Sequence, residues 1–332
     1  MKNKFQGKSI ILGVPHHFGL PHCFIKNLEY LGFKVFCVPH DEKAKHRLTW
    51  KDKAQHGIKK FLFNNPLHKP EKIAKLQSEA QLKLLHSFPK VDYALVIRPD
   101  LFSKTVLQKI SEQASFSAGY QWDGMSRFPL VASRIPFFDQ FYVFDQEDVK
   151  KHTGNQHITN FYFDYLPKSA PIQQDVFFIG TYMKDRMQPL AQLSQILKDE
   201  NLSLSIKVVC HSQSKTQPYQ DTPIQFIPNG ESFETALKQS IASNVLIDME
   251  NTAHKGLSFR CFEAVGFSKK LITNNALVKN YDFYDKKNIF VLEDSWDIHG
   301  LVAFLQEPYQ PKPEIAQQYS FSSWISKILA AK

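Results

Sequence analysis

The chain has 332 residues, 43% of them hydrophobic and 22% charged, which excludes a disordered or low-complexity protein and exceeds one typical core, so two domains are expected. Lys and Arg number 41 against 32 acidic residues, a net charge of +9 that suits anionic company: phosphorylated substrates, nucleic acid or anionic lipid. Cys23, Cys37, Cys210 and Cys261 lie in or beside apolar segments without a C-x-x-C spacing, so free, buried thiols and a reducing cytoplasm are expected.

From Ser9 to His40 the pattern runs strand (SIILGV), loop (PHHFGLPH), amphipathic helix (CFIKNLEYLG), strand (FKVFCVPH), a β-α-β unit that implies parallel pairing. Apolar spacing predicts one helix over 66–88. VDYALVI reads as a buried strand with a polar tip, followed by a helix over 103–113 and by strands in SAGYQW, ending at Asp123, and FDQFYVFD. Between Lys150 and Gln174 the periodicity fades into HTGNQH and LPKSAP, which predicts a linker.

The alternation then resumes. DVFFIG is a strand, TYMKDR a loop, MQPLAQLSQILKDE a helix, and LSLSIKVVCH and IQFIP are strands. ESFETALKQSIAS is a helix opened by a capping Ser232. Val245 to Asp248 is a buried strand, a helix begins near Leu257, and Lys270 to Thr273 is another strand. The tail QQYSFSSWISKILAAK is amphipathic, with Trp324, Ile325, Ile328 and Leu329 at helical spacing. No apolar run approaches the roughly 18 residues needed to cross a bilayer, so any membrane contact is expected to be peripheral. The expected organisation is an α/β chain of two Rossmann-like domains, 1–165 and 172–318, with a helix over 319–332 packing back on the first.

In open α/β sheets ligands collect beyond the carboxyl ends of the strands. Those ends carry His16, His17 and Gly19, then Arg98 and Asp100, then Asp123 to Arg127 with Trp122 adjoining, in the first half, and Gly180, Thr181, Lys184, Arg186, His211, Pro228, Asn229 and the loop from Glu250 to Ser258, which includes Lys255, Gly256, Leu257 and Ser258, in the second. Arg260 and Glu263 follow one helical turn apart. An arginine fork suits phosphate oxygens and a carboxylate suits sugar hydroxyls, so the second half reads as a nucleotide-sugar pocket and the first as the side that deprotonates an acceptor. G-x-S-x-G and D-x-D are absent, with Asp248-x-Glu250 only a near relative of the latter, so neither a serine nucleophile nor a bound metal is expected. No cofactor is expected beyond the nucleotide-sugar itself.

KGLSFRCFEAVGFSKKLITNN, followed by NYDFYDKKNIFVLE, resembles the carboxyl-terminal half of GT-B glycosyltransferases, particularly bacterial enzymes of lipopolysaccharide and capsule assembly. DVFFIGTYMKDRMQPL is similar to the opening of that half, and YQWDGMSRFP with FDQFYVFDQEDV to the end of the amino-terminal half. The resemblance implies two Rossmann-like domains facing across a cleft. It also implies that Glu263 grips the donor ribose and that Gly256 to Arg260 hold the diphosphate. Retaining members often place a second glutamate eight positions earlier, where this chain has Lys255, which shifts the expectation towards inversion with Asp123 as base and Asp100 and His17 in reserve. The implied partners are a nucleotide-sugar donor and a glycan or lipid-linked glycan acceptor, at the inner face of the plasma membrane and in peripheral contact with anionic lipid. Three alternatives stay open: a silent scaffold of a polysaccharide assembly complex, an epimerase on the same architecture, and a basic nucleic-acid binder, the last disfavoured because most of the 28 phenylalanines lie in apolar strands.

Overall fold

A computed structural model describes residues 4–41, 68–250, 256–293 and 296–330. The chain divides into two compact units, Met1–Thr159 with Trp324–Lys332, and Asn160–Ser323.

In the first unit the elements follow as β1 (Ser9–Pro15), α1 (Leu20–Tyr30), β2 (Lys34–His40), α2 (His68–Lys75), α3 (Ser78–Ser87), β3 (Val91–Ile97), α4 (Lys104–Gln113), β4 (Ala114–Gln121), β5 (Gln140–Val143), α5 (Gln146–Lys151) and β6 (Asn155–His157). The six strands form one parallel sheet in the order β2-β1-β3-β4-β5-β6. Strands buried on both faces read as continuous apolar runs, as SIILGV and ALVI do. Because successive side chains face opposite ways, Ile11, Ala94 and Val96 point to the side covered by Val106, Leu107 and Ile110 of α4. Near the chain's end, the Trp324 ring packs edge-on against Phe24 and Tyr120, and Trp324, Ile325, Ile328 and Leu329 are all buried.

The helix predicted over 66–88 is two helices. Gln77 interrupts it with φ −111°, ψ 0°, and its side-chain amide accepts from Asp41 N at 2.9 Å and donates to Asp41 O at 3.0 Å, a tether to β2 that holds the turn open. The segment read as a linker is ordered as well. It contributes β6, parallel to β5, and then Phe161, Tyr162 and Phe163, each at most 1% exposed, with Phe163 stacked on Phe321 at 5.6 Å. Aromatic burial overrides the weak local pattern.

The second unit continues with β7 (Gln174–Thr181), α6 (Lys184–Asp199), β8 (Leu204–Val209), α7 (Gln213–Thr216), β9 (Gln225–Ile227), α8 (Phe233–Ile241), β10 (Ser243–Asp248), α9 (Phe259–Gly266), β11 (Lys270–Thr273), β12 (Ile289–Val291), α10 (Ile298–Gln306) and α11 (Pro313–Gln318), with α12 (Phe321–Ile328) shared between the units. Its parallel sheet runs β12-β11-β10-β7-β8-β9. Val176, Phe178, Val245 and Ile247 face a layer formed by Leu190, Leu193 and Leu197 of α6 with Leu301 and Phe304 of α10. Phe177, Leu246 and Leu271 face Cys261, Phe262 and Val265 of α9. At about 1.5–3 kcal/mol per buried large apolar side chain, these two layers supply most of the driving force that places the strand tips. α6 begins three residues before the predicted helix, so Lys184 and Arg186 stand in its first turn rather than in a loop. Two cysteines are buried and two half-buried, and all four are free thiols.

Candidate functional site

Since every strand pairing in the second unit is parallel, all the loops that follow its strands lie along one sheet edge. Strand order reverses between β7 and β10, with β8 and β9 on one side and β11 and β12 on the other. The crevice at such a reversal is where nucleotides bind in open α/β sheets. Gly180 and Thr181 end β7 there. A Cβ on Gly180 would meet the Phe178 ring at 3.0 Å and lie 3.7 Å from Arg186 Nη1, so the arginine lies over the strand tip. Arg186 Nε donates to Glu250 O, just past β10, at 3.1 Å. Burial lowers the Arg186 pKa from its ordinary value, and the charge of Asp248 opposes that shift.

Asp248, 6% exposed, ends β10 and organises the loop. Its Oδ1 accepts from Ser258 Oγ at 2.6 Å, and its Oδ2 from Thr273 Oγ1 at 3.0 Å and from Cys261 Sγ at 3.5 Å. Ser258 in turn caps α9 by accepting from Arg260 N at 3.1 Å, the side-chain cap a helix start favours. Desolvation and Asp248 push the Cys261 thiol well above its ordinary pKa, so it is an inert donor here. Asn275 Nδ2 donates to Gly256 O at 3.2 Å, Asn160 Nδ2 to Leu257 O at 3.1 Å, and Asn274 Oδ1 accepts from Glu250 N at 2.7 Å. Gly256 has φ 150°, a region open to glycine and hardly to other residues. Lys255 lies outside the described residues.

Arg260 and Glu263 meet on α9. Arg260 Nη1 donates to Glu263 Oε2 at 2.9 Å, and both groups bond to the hydroxyl of Ser240 on α8, which lies 2.9 Å from Glu263 Oε2. The guanidinium carbon stands 4.9 Å from the Phe177 ring centroid, a cation–π distance. Glu263 is 4% exposed and therefore no solvated surface residue. Among the described residues its Oε1 has no partner, nor do Nε and Nη2 of Arg260. Thr181, Lys184, His211 and Pro228 are exposed along the same edge. The sequence marks Asp248 as the polar end of an apolar strand and as part of a near D-x-D, while Ser240, Asn160, Asn274 and Asn275 carry no spacing signal that connects them to the site.

In the first unit the order reverses between β1 and β3. His16 and His17 follow β1 and are exposed, with the His17 ring edge-on to Phe18 at 4.6 Å. Arg98 follows β3 and gathers two of the candidate acids: its Nε and Nη2 donate to Asp100 Oδ1 and Oδ2, both at 2.8 Å, and its Nη1 to Asp123 Oδ2 at 3.0 Å. The Phe128 ring lies 3.8 Å from the Arg98 guanidinium carbon and 5.5 Å from that of exposed Arg127. Trp122 is half-buried beside Asp123. Among the described residues no three His, Cys, Asp or Glu side chains converge as a metal-binding group.

No family model and no curated protein matches the sequence. The fold has counterparts among solved structures. Sucrose-phosphate synthase from Thermosynechococcus elongatus superposes with a TM-score of 0.55 at 10% identity, covering 96% of this chain and 97% of that one. A glycosyltransferase involved in avilamycin A biosynthesis gives 0.52 at 10% identity, covering 98% of each chain. The fold is GT-B. UDP-GlcNAc 2-epimerase from Methanocaldococcus jannaschii shares this GT-B architecture, with a TM-score of 0.51 at 9% identity over 97% of this chain and 98% of that one. At such identities the likeness establishes architecture alone, and the chemistry has to come from the residues at the two sheet reversals.

Proposed function

We propose that the protein is a glycosyltransferase that moves a sugar from a nucleotide-sugar donor to a glycan or lipid-linked glycan of a lipopolysaccharide or capsule, without a metal ion and with inversion. The observation that carries this reading is the set of groups at the second unit's reversal: Arg186 over the β7 tip, Arg260 with uncommitted N–H groups among the described residues, and Glu263 with Oε1 uncommitted on the same basis. Arginine donors suit a leaving diphosphate and the carboxylate oxygen suits ribose hydroxyls. Lys184, Lys255 and the α9 N-terminus would add to the stabilisation of the diphosphate. In the step proposed, Asp123 takes the acceptor hydroxyl proton, the acceptor oxygen bonds to the anomeric carbon, and the bond to the diphosphate breaks with its electron pair leaving on phosphate. Trp122, Arg127 and His16 would contact the acceptor. No described helix is long and apolar enough to cross a membrane, and work at the inner face of the plasma membrane would rest on peripheral contact with anionic lipid.

A thermal-shift screen against UDP-, GDP-, CMP- and dTDP-sugars tests donor binding, since a ligand that binds only the folded state raises the melting temperature. The Asp123→Asn variant should then keep the donor-induced shift and lose transfer, and a near-normal transfer rate would remove Asp123 as base. A second reading, 2-epimerisation of the donor, is favoured by the epimerase among the superposed structures. Conversion of a UDP-sugar to its C2 epimer without any acceptor would select it over glycosyl transfer.

A further inference from the structure

Arg98 serves the two carboxylates of the first unit unequally. Its backbone is left-handed, φ 56° and ψ 64°, a conformation that disfavours residues with a Cβ and that persists where surrounding structure enforces it. Nε and Nη2 are spent on both oxygens of Asp100, Nη1 goes to Asp123 Oδ2, and Phe128 covers one guanidinium face. Asp100 therefore has both oxygens committed, with its side chain 7% exposed. Asp123, with 20% of its side chain exposed, has only Oδ2 committed among the described residues.

We infer that Arg98 is a positioning residue: it fixes Asp123 by one oxygen so that Oδ1 is presented to the acceptor hydroxyl, while Asp100 orients Arg98 and takes no proton. The inference rests on glycosyl transfer for what Asp123 does, and goes beyond it by removing Asp100 from the chemistry and bringing Arg98 in. A planar fork is required. A lysine ammonium at this position is a point donor that can serve one carboxylate and releases the other.

The test compares wild type, Arg98→Lys and Asp100→Asn by nucleotide release from UDP-glucose, UDP-N-acetylglucosamine, GDP-mannose and dTDP-glucose, alongside carbodiimide and glycine ethyl ester labelling read by mass spectrometry. Wild type should label at Asp123 ahead of Asp100. Arg98→Lys should lower kcat by about 10²-fold, the cost of misplacing a reacting group by about 1 Å, while donor KM stays within about threefold because donor contacts are elsewhere. Asp100→Asn should lower kcat in the same direction by less, since its amide still accepts one of the two Arg98 bonds, and it decides the matter if Arg98→Lys does not fold. An unchanged kcat in both variants, or equal labelling of Asp100 and Asp123 in wild type, overturns the inference. Ordered labelling in a wild type that releases no nucleotide from any probe supports the orientation of Asp123 and defeats the glycosyl-transfer reading instead.

Discussion

Replacing Asp248 by alanine removes the acceptor for two hydroxyls, at 2.6 and 3.0 Å, and one thiol, at 3.5 Å. Hydrogen bonds to a charged group contribute about 1.5–3 kcal/mol each, while a thiol donor contributes little and a freed hydroxyl can turn to another acceptor. Counting one full bond, part of the second and some loss of the Ser258 cap, worth about 1 kcal/mol, the expected destabilisation is about 3 kcal/mol. Every 1.4 kcal/mol is about tenfold in an equilibrium constant, so amide hydrogen exchange in Ser243–Asp248 and Phe259–Gly266 should accelerate by about 10²-fold if it proceeds through local opening. Exchange mass spectrometry of those peptides, with first-unit peptides as internal controls, reads this directly. Asp248→Asn keeps one acceptor oxygen and the side-chain shape, and should lose less than half as much. Exchange in Asp248→Ala within about threefold of wild type would show that the loop is held by something other than this carboxylate.

Two further outcomes are expected. Glu263→Ala should weaken donor binding at least about tenfold, the loss of one good hydrogen-bonded contact, and isothermal titration showing unchanged affinity would take Glu263 out of the donor site. Asp92 is held at a pKa of about 2, below its ordinary 3.8, first by the Lys8 side chain and then by the Ser9 backbone N–H. A depressed carboxylate stabilises the fold above its unfolded pKa and loses that contribution as pH falls through the folded one. The stability gap between wild type and Asp92→Asn should therefore be full at neutral pH and close between about pH 4 and pH 2, as followed by urea unfolding. A gap that persists at pH 2 would refute the assignment.

The parts of the fold legible from residues alone are those where burial on both faces forces a continuous apolar run: SIILGV, VDYALVI, DVFFIG and VLID all coincide with strands. The misreadings occur where local pattern and tertiary contact conflict. Asn155–His157 is polar and still pairs with β5, because an edge strand needs only backbone partners on one side. Lys184 and Asp185 are exposed and show no apolar periodicity, so the first turn of α6 reads as loop. The site divides in the same way. Strand-tip residues are legible because a parallel sheet gathers all its tips along one edge. The groups that hold them are far apart in sequence, Ser240 from Glu263 and Asp248 from Thr273, and no spacing rule connects them.

Both units solve the same physical problem in the same way. An isolated carboxylate at a sheet reversal would rotate freely, and a fully paired one would have nothing left for substrate. In each unit an arginine pins one carboxylate oxygen and leans on an aromatic ring, Arg260 on Phe177 and Arg98 on Phe128, which leaves Glu263 Oε1 and Asp123 Oδ1 uncommitted among the described residues. The arginines differ in what remains. Arg98 meets two carboxylates with a single positive charge, so it can orient, but an added anion there would face net negative charge. Arg260 engages protein through Nη1, and its remaining N–H groups can still donate to phosphate. That asymmetry, rather than the net charge of the chain, is the ground on which the proposed function places anion binding in the second unit and proton transfer in the first.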